Sequence, residues 1–267
     1  MNKVCLCFPG GKFKCLTMSY DDGNQADRRL IDIFNKNGVK GTFHLNSELM
    51  RRGGNYIPLD EVKSVYAGHE VSCHTATHPT IARCPMHQVI AEVMEDRIAL
   101  ENEVGYPVRG LSYPNGSHNA EIRDMLRHTG IKYGRIVENT EWFALPDDRM
   151  CWEPTCHHNH RLMELGEKFL GITYSPGMYL MYVWGHSFEF DRDQNWQLIE
   201  DFCAMMGGRD DIWYATNIEI IDYLDTFARL QFAADNSFVY NPSVKSVCIR
   251  VNDAKPIEIP GGAFVTL

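Results

Sequence analysis

The chain is expected to be an α/β protein built on a parallel sheet or closed barrel of about seven or eight strands. Two regularities carry that expectation: short apolar runs alternate with stretches at helical spacing, and reactive side chains recur immediately after the runs. In parallel folds the carboxyl ends of the strands carry the chemistry, so the second regularity follows from the first.

Taken in order, KCLTMSY is a strand that delivers Asp21, Asp22 and Gly23. Residues 24–37 set Leu30, Ile31 and Phe34 at helical spacing and stop at Gly38. A second strand is expected over 40–46, a short helix over 61–66, and a third strand over 70–73 whose end carries His74. Helix 87–104 repeats Val89, Ile90, Val93, Met94, Arg97 and Ile98 along one face, whose apolar stripe is read as core, before Gly105 and Pro107 close it. Strand 108–113 runs into the turn formers Pro114, Asn115 and Gly116. Helix 120–128, strand 131–137 and a further strand over 150–155, flowing into CHHNH, continue the rhythm. Then come helix 161–170, strand 178–184 on the longest apolar run, helix 194–206, a short strand over 212–215 and helix 218–230.

The pattern changes beyond that point. Residues 247–251 and 257–259 alternate as strands around Pro256 and a Pro260-Gly261-Gly262 turn. The expected division is a barrel unit over 1–230 and a β-rich appendage over 231–267, packed on the barrel or on another copy in a homo-oligomer.

Bulk properties exclude several classes. With 267 residues, 44% hydrophobic and 23% charged, the chain has the make-up of an ordinary globular protein. A net charge of −9 and the lack of any basic run argue against nucleic acid or an anionic membrane surface as partner. No run approaches the roughly 18 apolar residues of a membrane helix. The amino-terminal apolar stretch before Pro9 is too short for the core of a signal peptide, and nine scattered cysteines without a paired framework suit reduced thiols. A cytoplasmic location is the expectation.

The chemistry gathers around Asp21 and Asp22 and around the His-x-x-x-His of His74 and His78. These four groups are one more than a three-ligand metal site needs, which leaves one carboxylate free to act as a base. Imidazole nitrogen and carboxylate oxygen suit a zinc-like divalent ion, and cobalt, nickel or iron would be held by the same atoms. Tyr113, Asn115, His157 and His186 also fall at the ends of expected strands, where a barrel would gather them at one mouth.

The series SYDDG, HTATH, YPNG and WGH resembles, in that order, the motifs of the polysaccharide deacetylases, carbohydrate esterase family four. The resemblance spans roughly residues 13–227, and its first two motifs are the specific ones. It implies a distorted (β/α)7-like barrel, one divalent metal and hydrolysis of an acetyl group from a saccharide. Carried over position by position, it makes Asp21 the general base and Asp22, His74 and His78 the metal ligands. It makes the peptide at Asn115 an oxyanion donor beside Tyr113, and His186 the acid that protonates the leaving group.

Two departures accompany the resemblance. The column of the family's third-motif arginine falls on Ser112, so the arginine that orients Asp21 is either Arg109 or Arg135. The fourth motif, an Asp and Trp pair, has no clean counterpart among Glu138, Trp142, Asp147 and Asp148. In the CHHNH cluster of Cys156, His157, His158 and His160, strand alternation lets at most two side chains reach one site. His157 or His158 is therefore read as a substrate contact rather than a second metal ligand. Trp142, Trp152, Trp184 and Phe188 are the aromatic residues available to stack on a sugar. The expected substrate is an acetylated saccharide, or a smaller acetylated compound, rather than an intact polymer outside the cell. A hydrolase of non-sugar amides such as cyclic ureides, and a catalytically silent carbohydrate-binding protein, are the rival readings.

Overall fold

The protein is described by a computed structural model covering residues 1–173, 177–252 and 254–267. Its first nine strands in chain order are β1 (Val4–Cys7), β2 (Lys14–Asp21), β3 (Gly41–Leu45), β4 (Glu70–Cys73), β5 (Gly110–Ser112), β6 (Tyr133–Arg135), β7 (Cys156–His157), β8 (Tyr179–His186) and β9 (Ile212–Tyr214). Seven of them form one parallel sheet in the order β6-β5-β4-β3-β2-β8-β7. β9 pairs with Lys14–Leu16 of β2, below the stretch Met18–Asp21 that pairs with β3. The result is a curled, distorted (β/α)7 barrel.

Residue alternation explains why the sheet curls around a polar interior. Leu16, Met18 and Tyr20 of β2, with Phe43, Val71, Leu111, Met181 and Val183, join the helix faces in one apolar layer outside the barrel. The intervening residues turn inward and satisfy one another. Thr42, Ser72 and Tyr133 donate to the buried Glu70 carboxylate at 2.9, 2.8 and 2.7 Å, and the Ile218 N–H donates to it at 2.8 Å. Thr17 donates to Asn217 Oδ1 at 2.8 Å, and Asn217 Nδ2 donates to the Tyr182 hydroxyl at 2.6 Å. Every buried polar group named here has a partner, which is the condition for keeping it in a core.

Residues 150–155 differ from the strand expected there. Arg149–Cys151 is a short 3-10 turn, and Pro154, lacking an N–H, interrupts the ladder before β7. The segment still closes the barrel. Trp152 N–H donates to Gly134 O at 2.9 Å on the β6 side, and Thr155 N–H donates to Tyr182 O at 2.8 Å on the β8 side.

The carboxyl-terminal region forms β10 (Gln231–Phe232), β11 (Phe238–Tyr240), β12 (Val247–Val251), β13 (Ile257–Ile259) and β14 (Phe264–Thr266). These strands make two small antiparallel sheets, β10-β11-β14 and β1-β12-β13. The amino-terminal strand thus pairs with the appendage, Val4 opposite Val251. Val239, Val247, Ile249 and Ile259 pack with Phe8, Tyr182, Ile220 and Tyr223 in a second apolar cluster. Helices Ser47–Arg52 and Phe188–Arg192, absent from the sequence expectation, sit just after β3 and β8. Among the described residues no helix is long and apolar enough to cross a membrane.

The Tyr223 hydroxyl ties the appendage down, donating to Cys7 O at 2.6 Å and accepting from Cys248 N–H at 2.9 Å. Tyr223→Phe is expected to lower unfolding free energy by about 1–3 kcal/mol, since it strands a buried backbone pair. Urea denaturation checks this, and an unchanged midpoint would contradict it.

Candidate active site

Asp21 ends β2 in register with His44 on β3 and His186 on β8. The next two residues turn sharply: Asp22 has φ 81° and Gly23 φ 71°, and the Asp22 N–H donates to His44 O at 2.9 Å. A Cβ at Gly23 would press on Leu45 and Met50, so glycine is required both by conformation and by space. His74 follows β4, and its N–H donates to Leu45 O at 2.9 Å and to the buried Asp96 carboxylate at 3.0 Å. Thr75 and His78 take left-handed conformations, φ 65° and 61°. Strain of this kind persists where the surroundings over-determine it. Here Asn46 Nδ2 grips His74 O and Thr75 O at 2.6 and 2.8 Å, and Glu92 accepts from Thr77 N–H at 2.8 Å and from Thr77 Oγ1 at 2.6 Å.

These turns bring Asp22 Oδ1 to 3.6 Å from His74 Nε2 and 3.8 Å from His78 Nε2. Four-coordinate zinc with bonds of 2.0–2.1 Å spaces its ligand atoms about 3.3–3.4 Å apart, close to these separations. Asp22 Oδ1 is buried without a hydrogen-bond partner. His74 Nδ1 lies 2.8 Å from Ser112 O, a pure acceptor, so the ring proton sits on Nδ1 and the Nε2 lone pair faces Asp22. Burial pushes the His74 pKa down to about 3, so the ring is neutral at physiological pH. The three residues fit a divalent cation.

Asp21 sits differently. Its carboxylate is almost fully buried, paired with the Arg135 guanidinium through Oδ2, and it accepts from Ser112 Oγ at 3.1 Å through Oδ1, with His44 Nδ1 at 3.3 Å. Burial alone would raise its pKa, but Arg135, followed by His74 and His44, holds it well below the usual carboxylate range. Asp22 is raised, by burial first, with His186 opposing and Asp21 adding to the rise. Two adjacent carboxylates therefore have separate environments, one built for a guanidinium and one open to a cation.

Arg135 is wholly buried and stacks under Trp184, its guanidinium carbon 4.7 Å from the ring centroid. Arg109, the alternative, precedes β5 at the opposite end of that strand and makes a two-pronged pair with Asp222 at 2.8 and 2.9 Å. It has no place at the site. Tyr113 also departs from expectation: strand parity turns Ser112 inward and Tyr113 outward, where its buried hydroxyl donates to Met150 O at 2.7 Å. Asn115 lies on the turn after β5 with φ 57°, its side chain donating to Thr80 Oγ1 at 3.2 Å.

His186 Nδ1 lies 3.5 Å from Glu189 Oε2, and its ring centroid is 6.0 Å from that of Trp184. Burial would lower its pKa; the Glu189 carboxylate, then Asp21 and Asp22, overcome that and raise it. His157 reaches the same Glu189 oxygen at 2.9 Å. His158 cannot contact a substrate at the mouth. It points outward by the same parity rule, fully buried and stacked between Tyr20 and Phe190 at 5.7 and 4.2 Å. Of the other aromatics, Trp152 is core and Trp142 is exposed on the flank, its carbonyl held by Thr155 Oγ1 at 2.9 Å. Asp148 caps the turn Arg149–Cys151 and pairs with Arg127 at 3.1 Å, away from His186. Sequence reasoning missed His44, Asp96 and Glu189; His44 and Glu189 stand at the spacings an inward strand face and one helical turn after a strand require.

The fold and these turns define a (β/α) barrel with an Asp-His-His cluster at its strand ends. Residues 9–134 match the family model for polysaccharide deacetylases. Among solved structures, a Mycobacterium smegmatis protein provisionally named a polysaccharide deacetylase aligns at TM-score 0.63 and 17% identity, covering 85% of this chain and 96% of that one. The polysaccharide deacetylase Bc1974 of Bacillus cereus aligns at 0.51 and 16%, covering 76% and 91%. BA3943 of Bacillus anthracis, described as a pseudoenzyme of carbohydrate esterase family four, aligns at 0.50 and 18%, covering 78% and 66%. At these identities the likeness concerns the fold.

Arg135→Met would leave Asp21 buried without its cation and is expected to cost about 3–5 kcal/mol at pH 7. A carboxylate whose folded pKa is depressed contributes stability above its unfolded pKa, about 3.9, and loses it as pH falls through the folded value. In the variant, burial is no longer opposed by the guanidinium and raises the Asp21 pKa. The gap between wild type and variant should therefore begin to narrow above about pH 4, as pH falls through the variant's raised pKa, and go on narrowing toward the depressed wild-type value. Chemical denaturation across pH checks this, and a gap independent of pH would contradict it.

Proposed function

We propose that the protein is a hydrolase that removes an acetyl group from a saccharide or a small acetylated compound, using one divalent ion, zinc by its donor set, with Asp21 as base and His186 as acid. The observation that carries this reading is the division between two neighbouring carboxylates. Asp22 Oδ1 is orphaned beside two imidazole nitrogens, whereas Asp21 is committed to Arg135 and Ser112.

Bound at Asp22, His74 and His78, the ion would polarise the acyl oxygen and lower the pKa of a water. The remaining work belongs to the chain. Asp21, anchored through Oδ2 and held ionised, accepts the proton of the attacking water. The peptide N–H at Asn115 is the oxyanion donor we assign on the family pattern. His186 delivers a proton to the departing amine or alkoxide, and the Glu189, Asp21 and Asp22 carboxylates raise its pKa against the effect of burial. Trp184, held by its Nε1–H to Glu138 O at 3.0 Å, offers a ring 6.0 Å from that of the acid for a sugar face. Nine free thiols support a reducing, cytoplasmic setting.

Elemental analysis of bound metal, with acetate release from a panel of acetylated sugars, tests this reading. Asp21→Asn should keep the ion and lose about 10²–10⁴-fold in turnover, the usual worth of a general base. His74→Ala should lose both the ion and the activity. A fully active Asp21→Asn, or one that loses its metal, would overturn the division of roles.

A further inference from the structure

The functional assignment leaves one polar cluster unexplained: three imidazoles that converge on a single carboxylate oxygen. Glu189 Oε2 lies 2.9 Å from His157 Nε2, 3.3 Å from His158 Nε2 and 3.5 Å from His186 Nδ1. Glu189 stands in the first turn of helix Phe188–Arg192, three residues after His186, with its other oxygen accepting from Arg192 at 3.3 Å. The carboxylate is largely buried, and Oε2 is buried with no closed hydrogen bond.

These atoms could be taken for ligands of a second ion, and His157, His158 and Glu189 do lie within ligand distance of one another. The proton positions speak otherwise. The Asn159 N–H donates to His157 Nδ1 at 3.1 Å, which makes that nitrogen the acceptor and puts the ring proton on Nε2, facing Glu189. A protonated Nε2 has no lone pair for a metal. His158 is locked by its stack between Tyr20 and Phe190, and even a Cβ at Gly185 would strike its ring.

We infer that Glu189 is the positioning residue for His186, holding the imidazole with its proton on Nδ1 and leaving Nε2 for the leaving group, while His157 Nε2, 2.9 Å away, flanks the same carboxylate oxygen. This rests on the reading of His186 as the leaving-group acid. A carboxylate at one ring nitrogen sets the tautomer and orientation of the other and stabilises the imidazolium that donates the proton. Glu138, Asp147 and Asp148 do not reach His186; the acidic partner comes instead from the helix that follows the histidine's own strand.

The test compares wild type with Glu189→Gln on two substrates, an acetamido sugar and p-nitrophenyl acetate, together with metal content and the imidazole ¹⁵N spectrum of His186. A sugar amine must be protonated to leave, whereas p-nitrophenolate leaves without a proton. The expected result is a fall of about 10²-fold in kcat on the acetamide at unchanged KM. Hydrolysis of the aryl ester should be unchanged, with one metal per chain in both proteins. The His186 spectrum should show Nδ1–H in wild type and a shifted tautomer balance in the variant. An equal loss on both substrates, a His186 spectrum indifferent to the substitution, or a metal equivalent lost with Glu189 would each overturn the assignment. If wild type releases acetate from neither substrate, the deacetylase reading fails, and the ¹⁵N spectrum alone still decides whether Glu189 holds His186.

Discussion

The buried ion pair between Arg135 and Asp21 is the constraint around which the site is arranged. A guanidinium taken wholly out of water must be neutralised and hydrogen-bonded, and Asp21 is the carboxylate that does this. That commitment withdraws Asp21 from the cluster of Asp22, His74 and His78, although Asp21 Oδ2 lies only 3.9 Å from His74 Nε2. Ser112 completes the separation, because its hydroxyl donates to Asp21 while lying 2.6 Å from His74 Nδ1. One small residue thereby orients both the proposed base and a proposed ligand.

The same pair shows how strand parity distributes function. Inward positions of the barrel carry Ser19, Asp21, His44, Ser112 and Arg135, and outward ones carry Tyr20, Tyr113 and His158 against helices. An arginine is required beside Asp21, but no rule ties it to β5. Placing it on β6 leaves Ser112 room to bridge Asp21 and His74.

Much of this was legible in the chain, and the failures have physical causes. The strand-helix rhythm and the residues at strand ends are local signals, so the barrel, Asp21, Asp22, His74, His78 and His186 could be read directly from spacing and motif. Choosing between Arg109 and Arg135 needed the ends of the strands, since one precedes β5 and the other ends β6. Tyr113 and His158 were drawn to the mouth because closeness in sequence to Ser112 and His157 says nothing about which face of the sheet a residue occupies. The alternation CLTMSYD, small or polar residues between apolar ones, was the available signal for that face. The strand over 150–155 failed on Pro154, and β1 was invisible because its partner β12 lies at the other end of the chain. The spacing of Glu189 from His186 carries meaning only with a helix beginning at Phe188, and no local signal in the sequence marks that start.

Crystals grown with zinc and measured at the zinc absorption edge would test the division of the two carboxylates most directly. The structure predicts a single anomalous peak within about 2.0–2.2 Å of Asp22 Oδ1, His74 Nε2 and His78 Nε2, with Asp21 outside bonding distance and still paired with Arg135. A peak that takes Asp21 as a ligand and frees Arg135, or one seated among His157, His158 and Glu189 instead, would contradict it.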